Sequence, residues 1–423
     1  MSSMPLTPSG TRVVGLADRR WLFVLLLGST CYLLVLSFLN ANVLRVSPGL
    51  VALVEVVLYL LCIALQFRRF PLGTLVMCLF VVGWLLLAWV IRAEPDPKGV
   101  RDLIIPFLFL SLGRYVADPG LADSLVKRIA VVVLLIGIVE AAFTHLYAAW
   151  FNTFSFYVNL GNIGEKAAMF DGQMLTLNGY RPEGIGRTLL PSLLGSHRAS
   201  SVFLEPVSMG NFAVILLAWI LSKPKAEIFR SLIPLAVALA VIVLADSRFG
   251  LLMTAALLVM RVLPLWLIGR GAILIPLVTL AVVLGIAEYI PSGGDNIMGR
   301  ITRSGHELLK FDGALLMGLS GPLPANGDMG YAYIFSRFGA PLVLALVAAL
   351  CLLPMRSDQG RWFRSMVLVY FCANLAISGT SIFALKTAGL LWFLFGVLTL
   401  ARAREPRHSG IPPSKHTMEP CLT

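Results

Sequence analysis

Charged residues are scarce in this sequence. Asp, Glu, Lys and Arg make up 13% of the 423 residues, whereas 58% of the residues are hydrophobic. A soluble protein carries about twice that charged fraction, and several apolar runs here approach about 20 residues, the length that crosses the hydrocarbon core of a bilayer. The composition therefore excludes a soluble globular protein and predicts a membrane protein with many helical spans.

Several chemical signatures are missing as well. The six cysteines show neither metal-ligand spacing nor the pattern of a disulfide framework. The sequence has no nucleotide-binding Gly-rich loop, no Asp-x-Asp pair and no convincing Ser-His-Asp pattern. These absences argue against ATP-driven chemistry and nucleotide-sugar transfer, and we expect no metal and no cofactor. The net charge of +12 does not indicate nucleic acid, because most Lys and Arg flank apolar runs.

Apolar segments alternate with short basic loops along the chain. By the positive-inside rule, the arginines before residue 21 put the N-terminus (1–20) in the cytoplasm, and an even number of spans puts the basic tail (402–423, expected to be disordered) there too. We therefore predict an all-α, multi-pass bundle of about 12 transmembrane helices in a bacterial inner membrane, occupying residues 21–401. The predicted spans are 21–39, 50–67, 71–91, 103–117, 129–149, 202–222, 231–246, 248–268, 272–290, 329–353, 365–383 and 385–401.

Two long polar stretches, 150–201 and 291–328, fall on the outer, periplasmic face in this topology. The first is rich in Gly, Asn and aromatic residues and is expected to be irregular. The second contains an amphipathic helical pattern from Gly299 to Leu316, which predicts a helix lying on the membrane surface. Its apolar face carries Ile301, Leu308, Leu309, Leu315 and Leu316, and its polar face carries Arg303, His306 and Lys310.

Eight cations on the outer side work against the positive-inside bias. A charge within the membrane costs about 2.5–3.5 kcal/mol on insertion scales, so each one needs a reason. Phosphate is a natural ligand, since guanidinium forms forked hydrogen bonds with its oxygens. The alternatives are internal pairing with Glu205, Asp246, Glu288 or Asp328, or snorkelling to lipid headgroups. The eight cations are Arg181, Arg187, Arg198, Arg248, Arg300, Arg303, Arg337 and Lys386.

His306 is the one histidine in the second outer stretch. A lone histidine is often only a polar surface residue, but Arg303 and Lys310 share its helical face and Glu307 follows it directly. Because histidine accepts protons near neutral pH, His306 is a candidate general base.

Three stretches of this sequence resemble the signatures of the O-antigen ligase and Wzy-type polymerase superfamily. The first runs from Arg198 through Phe203 to Glu205-Pro206, and the second is Asp246-Ser-Arg248-Phe-Gly-Leu-Leu. The third runs from His306-Glu-Leu-Leu, through Gly318 and Gly321, to Asp328-Met-Gly-Tyr331 and Phe338-Gly339. The Glu-Pro version of the first stretch is similar to exopolysaccharide polymerases of the xanthan type. Neither long loop contains the Arg-x10-Gly pattern of some Wzy enzymes.

The resemblance implies a metal-independent, inverting glycosyl transfer on the outer face. The donor would be a glycan on undecaprenyl diphosphate, and the acceptor another lipid-linked repeat unit. Arg198 and Arg248 would match the diphosphate-binding arginines of the family, and His306 its proposed base. Other residues are expected to contact substrate: Arg181, Arg187, Glu205, Arg300, Arg303, Lys310, Asp328, Tyr331 and Arg337.

The sequence is also compatible with two other functions. A ligase of the same architecture would move finished glycan to another acceptor, and a flippase would transport the same anionic lipid. Transporters often contain internal repeats, whereas this sequence has no evident repeat. Besides membrane lipids, a polymerase would have chain-length regulators and export proteins as candidate partners.

Overall fold

The computed structural model describes residues 16–67, 72–161, 174–175, 187–265, 271–291, 294, 296–321, 329–377 and 379–400. Within these ranges the chain is helical and contains no β-strand. The all-α prediction is therefore confirmed for the described part of the chain.

Nineteen α-helices are described, most of them ending at short turns. The first seven are α1 Leu16–Asn42, α2 Pro48–Gln66, α3 Leu72–Arg92, α4 Pro97–Val116, α5 Pro119–Ala142, α6 Thr144–Phe151 and α7 Thr153–Asn159. The next six are α8 Pro191–Leu194, α9 Pro206–Ser222, α10 Lys225–Phe229, α11 Leu232–Ala245, α12 Arg248–Val262 and α13 Leu274–Tyr289. The last six are α14 Ile297–Leu309, α15 Gly313–Leu316, α16 Gly330–Phe338, α17 Ala340–Leu352, α18 Asp358–Ala376 and α19 Leu385–Leu400.

Several helices begin where the local sequence dictates a start. Ser47, Asp96 and Asp118 each precede a proline, and each side chain accepts a hydrogen bond from a backbone N–H of the first turn. Such a residue satisfies an otherwise unpaired donor, and proline at the first helical position has no N–H to satisfy. These caps fix where α2, α4 and α5 start.

Helices α9 and α19 form the centre of the bundle and are buried on almost every side. Helix α19 packs along α4 and against α1 and α18, whereas α9 packs against α11, α12 and α18. A helix that is apolar all round belongs in a core or a bilayer. The outer helices, by contrast, expose large apolar side chains, for example on α3, α12 and α13. An apolar exterior of this kind is consistent with a membrane protein.

Among the described residues, three helices are long and apolar enough to cross a membrane: α1, α2 and α3. The number rises to five if each of two sharply bent helix pairs counts as one span, namely α5 with α6–α7, and α16 with α17. The bends are 110° and 113°. Helices α9, α11, α13 and α19 are apolar but shorter. The apolar segments are thus helical, whereas the count of 12 spans is not confirmed.

Several segments differ from the sequence expectation, among them the predicted span 129–149, which is broken by the bend between α5 and α6. The segment predicted as one span, 329–353, bends at Gly339, whose φ of +78° is accessible to glycine at little cost. The stretch 150–201, expected to be irregular, opens with α7. The helix expected over Gly299–Leu316 ends at Leu309 and resumes as a single turn after Asp312, whose side chain caps that turn.

The closest helix contact in the core joins α4 and α19 through Gly113 and Gly396. A Cβ at Gly113 would lie 2.0 Å from the Phe393 carbonyl oxygen, and a Cβ at Gly396 would lie 2.1 Å from the Leu110 carbonyl oxygen. Small residues allow two backbones to approach in this way.

We expect Gly113→Leu to destabilise the bundle, because backbone atoms of α19 occupy the space that the new side chain needs. Overpacking typically costs about 1–3 kcal/mol, and a clash with backbone belongs at the upper end. Thermal unfolding of the purified protein in detergent measures this effect. Gly83→Leu in α3 is the matched control, since no atom lies within 4 Å of a Cβ there. Equal melting temperatures for the two variants would contradict the α4–α19 contact.

Candidate functional site

The turn between α11 and α12 is the first element of the candidate site. Asp246 ends α11 in the left-handed conformation (φ +48°), and Ser247 caps α12. The Asp246 carboxylate is buried and accepts hydrogen bonds from the Thr188 hydroxyl and the Leu189 N–H, both at 2.8 Å. The carboxylate therefore fixes the chain at Thr188 and Leu189 to this turn.

Arg187 lies buried beside the same turn. Its guanidinium donates hydrogen bonds to the carbonyl oxygens of Leu189 (2.8 Å), His197 (3.0 Å) and Val243. Carbonyls in the last turn of a helix lack intrahelical partners, and cations are favourable there. Burial lowers the pKa of Arg187, and the Asp246 carboxylate acts in the opposite direction. In this conformation Arg187 holds the segment against α11.

Arg198 is half-buried, and its Nε lies 3.3 Å from the Ala245 carbonyl oxygen. The contact places Arg198 next to the Asp246–Arg248 turn. The backbone on either side is anchored by Glu140 of α5, which is fully buried. The Glu140 carboxylate accepts a hydrogen bond from the Ser200 N–H (2.8 Å) and contacts His197 Nε2 (2.9 Å).

Arg248 is the first residue of α12 and is exposed. It makes no hydrogen bond or ion pair with the part of the chain that the structure describes. The dipole of a helix is positive at its N-terminus, so a cation there is repelled unless an anion is present. Arg248 and the half-buried Arg198 thus make this turn electropositive.

Helix α14 forms the second element. It approaches α13 closely at the small residue Gly305. A Cβ at Gly305 would lie 2.5 Å from Ala287 Cβ and 2.6 Å from the Val283 carbonyl oxygen, whereas Leu309 is 49% exposed. The placement of this helix on a membrane surface stays a prediction.

His306 contacts the end of α13. Its Nε2 lies 2.6 Å from the Ala287 carbonyl oxygen. Since a carbonyl only accepts, Nε2 carries the proton in this contact, and Nδ1 of the neutral ring keeps its lone pair. Ala287 is within the last four residues of α13, whose carbonyls need external partners. His306 therefore caps α13 and still presents a proton acceptor.

The basic residues near His306 differ in their partners. Arg303 is exposed and forms no hydrogen bond or ion pair within the described ranges, whereas Lys310 pairs with Glu307 at 2.7 Å. Arg300 is half-buried and has a partner of its own.

Helix α18 connects the two elements. Phe249, next to Arg248, packs its ring on Tyr370 of α18 at a centroid distance of 6.3 Å. On another side, Gly330 of α16 lies against the backbone of Leu375, and α14 also contacts α18. Tyr370 and Leu375 point about 140° apart around the helix, at about 100° per residue. The Arg248 turn and the α14–α16 segment therefore flank the same end of α18.

Glu205 and Lys386 form an ion pair at 2.7 Å, with the lysine buried and the carboxylate about one-third exposed. Glu205 also accepts hydrogen bonds from Tyr157 (3.0 Å) and Ser208 (2.9 Å), and Lys386 donates to the Phe203 carbonyl at 3.1 Å. Internal pairing, one of the alternatives for the outer cations, thus holds for Lys386.

Arg337 is also paired internally. Its Nε lies 3.1 Å from Asp96 Oδ2, and its Nη1 donates to the Tyr333 hydroxyl at 3.0 Å. Tyr331, expected to stack on sugar, is buried in α16 with its ring stacked on Phe335. Arg181 and Asp328, the remaining predicted site residues, lie outside the described residues.

A buried polar network beside Arg337 escaped the sequence reasoning. The Tyr333 hydroxyl donates to Asp102, Asp102 pairs with Arg101 at 2.8 Å, and Glu55 accepts from Tyr32 at 2.7 Å. Arg101 lies 3.8 Å from Glu55 and joins the two halves. The available signal was Glu55, a carboxylate inside a predicted span, and such residues need partners.

Within the described ranges, no group of three His, Cys, Asp or Glu is placed to hold a metal ion. Comparison with known protein families, curated proteins and solved structures found no match to the chain. The family resemblance therefore rests on the three sequence stretches.

We expect Lys386→Met and Glu205→Gln each to destabilise the protein. We expect the double variant to destabilise it by less than the sum of these two effects. Removing one partner of a buried pair costs about 3–5 kcal/mol, and the partial exposure of Glu205 places this pair below that range. A double-mutant cycle on thermal unfolding in detergent measures the coupling. Additive effects would show that the pair does not contribute to stability.

Proposed function

We propose that this protein polymerises oligosaccharide repeat units carried on undecaprenyl diphosphate. The observation that carries the proposal is the exposed Arg248 at the N-terminus of α12, beside Arg198. Two guanidinium groups and a helix N-terminus provide charge-assisted and backbone donors for a diphosphate. The three sequence stretches that resemble the polymerase superfamily contain Arg198, Arg248 and His306.

The proposal includes an arrangement in the bacterial inner membrane. The chain crosses it about 12 times, with its N- and C-terminal segments in the cytoplasm and the stretches 150–201 and 291–328 in the periplasm. The distribution of basic residues between apolar segments supports this orientation. Shorter helices such as α9 and α19 then cross within the protein core, where other helices surround them.

The reaction is an inverting displacement at the anomeric carbon of the donor sugar. An acceptor hydroxyl oxygen forms the new glycosidic bond, while the bond from that carbon to the diphosphate oxygen breaks and its electron pair leaves with the lipid diphosphate. Arg198 and Arg248 stabilise the charge that develops on the leaving oxygen. Fixed cations in a partly dry site provide more stabilisation than they would in water.

His306 takes the proton of the acceptor hydroxyl on Nδ1. Its contact with the Ala287 carbonyl holds the ring and directs the proton to Nε2. Arg303 on the same helix, which is exposed, offers a further cation to the phosphates of the acceptor lipid. The side chains of Arg187, Glu205 and Arg337 are engaged within the protein, so these residues stabilise the structure around the site.

We expect Arg248→Ala to abolish long polymer and to leave single repeat units on the lipid. Loss of one group that stabilises a developing negative charge slows the step by about 10²–10³-fold. Arg248→Lys should retain a smaller part of the activity, because a lysine keeps the charge without the forked geometry. Polymer length and lipid-linked intermediates, resolved by electrophoresis of cell extracts, measure the effect.

The control for this variant is Arg230→Ala, which removes another exposed arginine, located after α10. Membrane levels of all variants must be equal. Normal chain length in Arg248→Ala would refute the role of this arginine. Long lipid-linked chains that are never transferred to a further acceptor would instead identify a ligase.

We expect His306→Gln to lose polymerisation while keeping its membrane level. The glutamine amide can still donate to the Ala287 carbonyl, but it cannot accept the proton of a hydroxyl. Removing a general base typically lowers the rate by about 10²–10⁴-fold. His306→Ala should lower both activity and thermal stability, because it also uncaps α13. Full activity in His306→Gln would show that His306 serves only as a cap.

A further inference from the structure

An open cavity lies between the N-terminal part of α1 and the N-terminal part of α5, away from the site described above. Its volume is about 680 Å³, which is within the usual range for small-molecule sites. Three arginines line it, Arg19, Arg20 and Arg128, together with Phe23 and Leu125 among its apolar residues. The cavity thus combines a cationic rim with an apolar wall.

Two of these arginines, Arg20 and Arg128, form no ion pair with a carboxylate of the described residues. Arg20 is exposed and has no hydrogen bond or ion pair among the described residues, and Arg128 is exposed with its guanidinium 5.9 Å from the Phe23 ring centroid. Asp118, also on the wall, uses its Oδ1 to cap α5 at the Gly120 and Leu121 N–H groups.

The nearby acidic residue Asp123 is engaged elsewhere. It pairs with Lys127 at 2.8 Å and with Lys223. The cavity therefore carries more positive than negative charge, and an anion from outside the chain would complement it.

The position of the cavity indicates which kind of anion it binds. Arg20 directly precedes the apolar run of α1, and Arg128 precedes the apolar run that starts at Ile129 in α5. Both arginines thus lie at the depth where lipid phosphates meet the hydrocarbon. Basic pockets between transmembrane helices bind anionic headgroups at this depth.

We propose that this cavity binds an anionic phospholipid. The phosphodiester contacts Arg20 and Arg128, and an acyl chain lies along Phe23 and Leu125. The lipid would fix α1 to α5, two helices that both pack against the core helix α19.

The test uses the full chain, purified in a neutral detergent. Native mass spectrometry with added phosphatidylglycerol or phosphatidylcholine measures the affinity for each lipid. We expect tight binding of phosphatidylglycerol only. The double variant Arg20→Gln/Arg128→Gln should bind it roughly thirtyfold more weakly, the factor expected for two basic residues at an anionic headgroup.

The matched control is Arg230→Gln/Arg361→Gln, which removes two exposed arginines elsewhere in the bundle and should leave lipid affinity unchanged. An equal loss in the control would show that only diffuse charge attracts the lipid. Equal binding of phosphatidylcholine would refute recognition of the anionic headgroup. Displacement of the lipid by millimolar inorganic phosphate would refute a lipid site in favour of a soluble anion. Thermal unfolding of the apo variants checks that each one is folded.

Discussion

Three carboxylates, two buried and one partly exposed, hold the irregular chain of this protein against its helices, and the candidate site depends on them. Glu140 binds the backbone at Ser200, Asp246 binds the backbone at Leu189, and Glu205 pairs with Lys386. Non-helical backbone at membrane depth is tolerated only where its polar groups find partners within the protein. These three acids, together with Arg187, therefore fix the position of the segment 187–205.

The same carboxylates stabilise a backbone that is locally strained. Ser201 and Leu204 adopt φ values of +51° and +59°, a region that costs a residue other than glycine about 1–2 kcal/mol. Ser201 begins the short 3₁₀ turn over Ser201–Phe203 that precedes α9, and Leu204 follows it. The Glu140 and Glu205 contacts on either side of this turn offset that cost. The strain is therefore located between the Arg198 position and the first turn of a core helix.

Four of the arginines predicted to lie on the outer face fall into two groups once their partners are known. Arg187 and Arg337 are buried and engaged with carbonyl oxygens or a carboxylate, so their charges support the fold. Arg248 and Arg303 are exposed and have no hydrogen bond or ion pair within the described ranges. Charge that is unpaired on the outside of a membrane protein attracts an anionic ligand, whereas paired charge does not. This distinction supports the proposed diphosphate site at the end of α18 and leaves the cavity between α1 and α5 as a separate anionic site.

The amino-acid sequence by itself determined the helical class, the apolar segments and the turn at Asp246-Ser247-Arg248, because apolar run length and capping residues act locally. Tertiary structure alone decided which cations are paired. Arg187 reaches Val243 and Arg337 reaches Asp96 across about 60 and 240 positions of sequence, and no local pattern predicts contacts of that separation. It also decided how α14 packs, since the close approach at Gly305 depends on the backbone of α13. The sequence therefore determines where charged residues are located along the chain. Only the folded bundle determines whether such a residue forms an ion pair or hydrogen bond within the protein or remains available to a ligand.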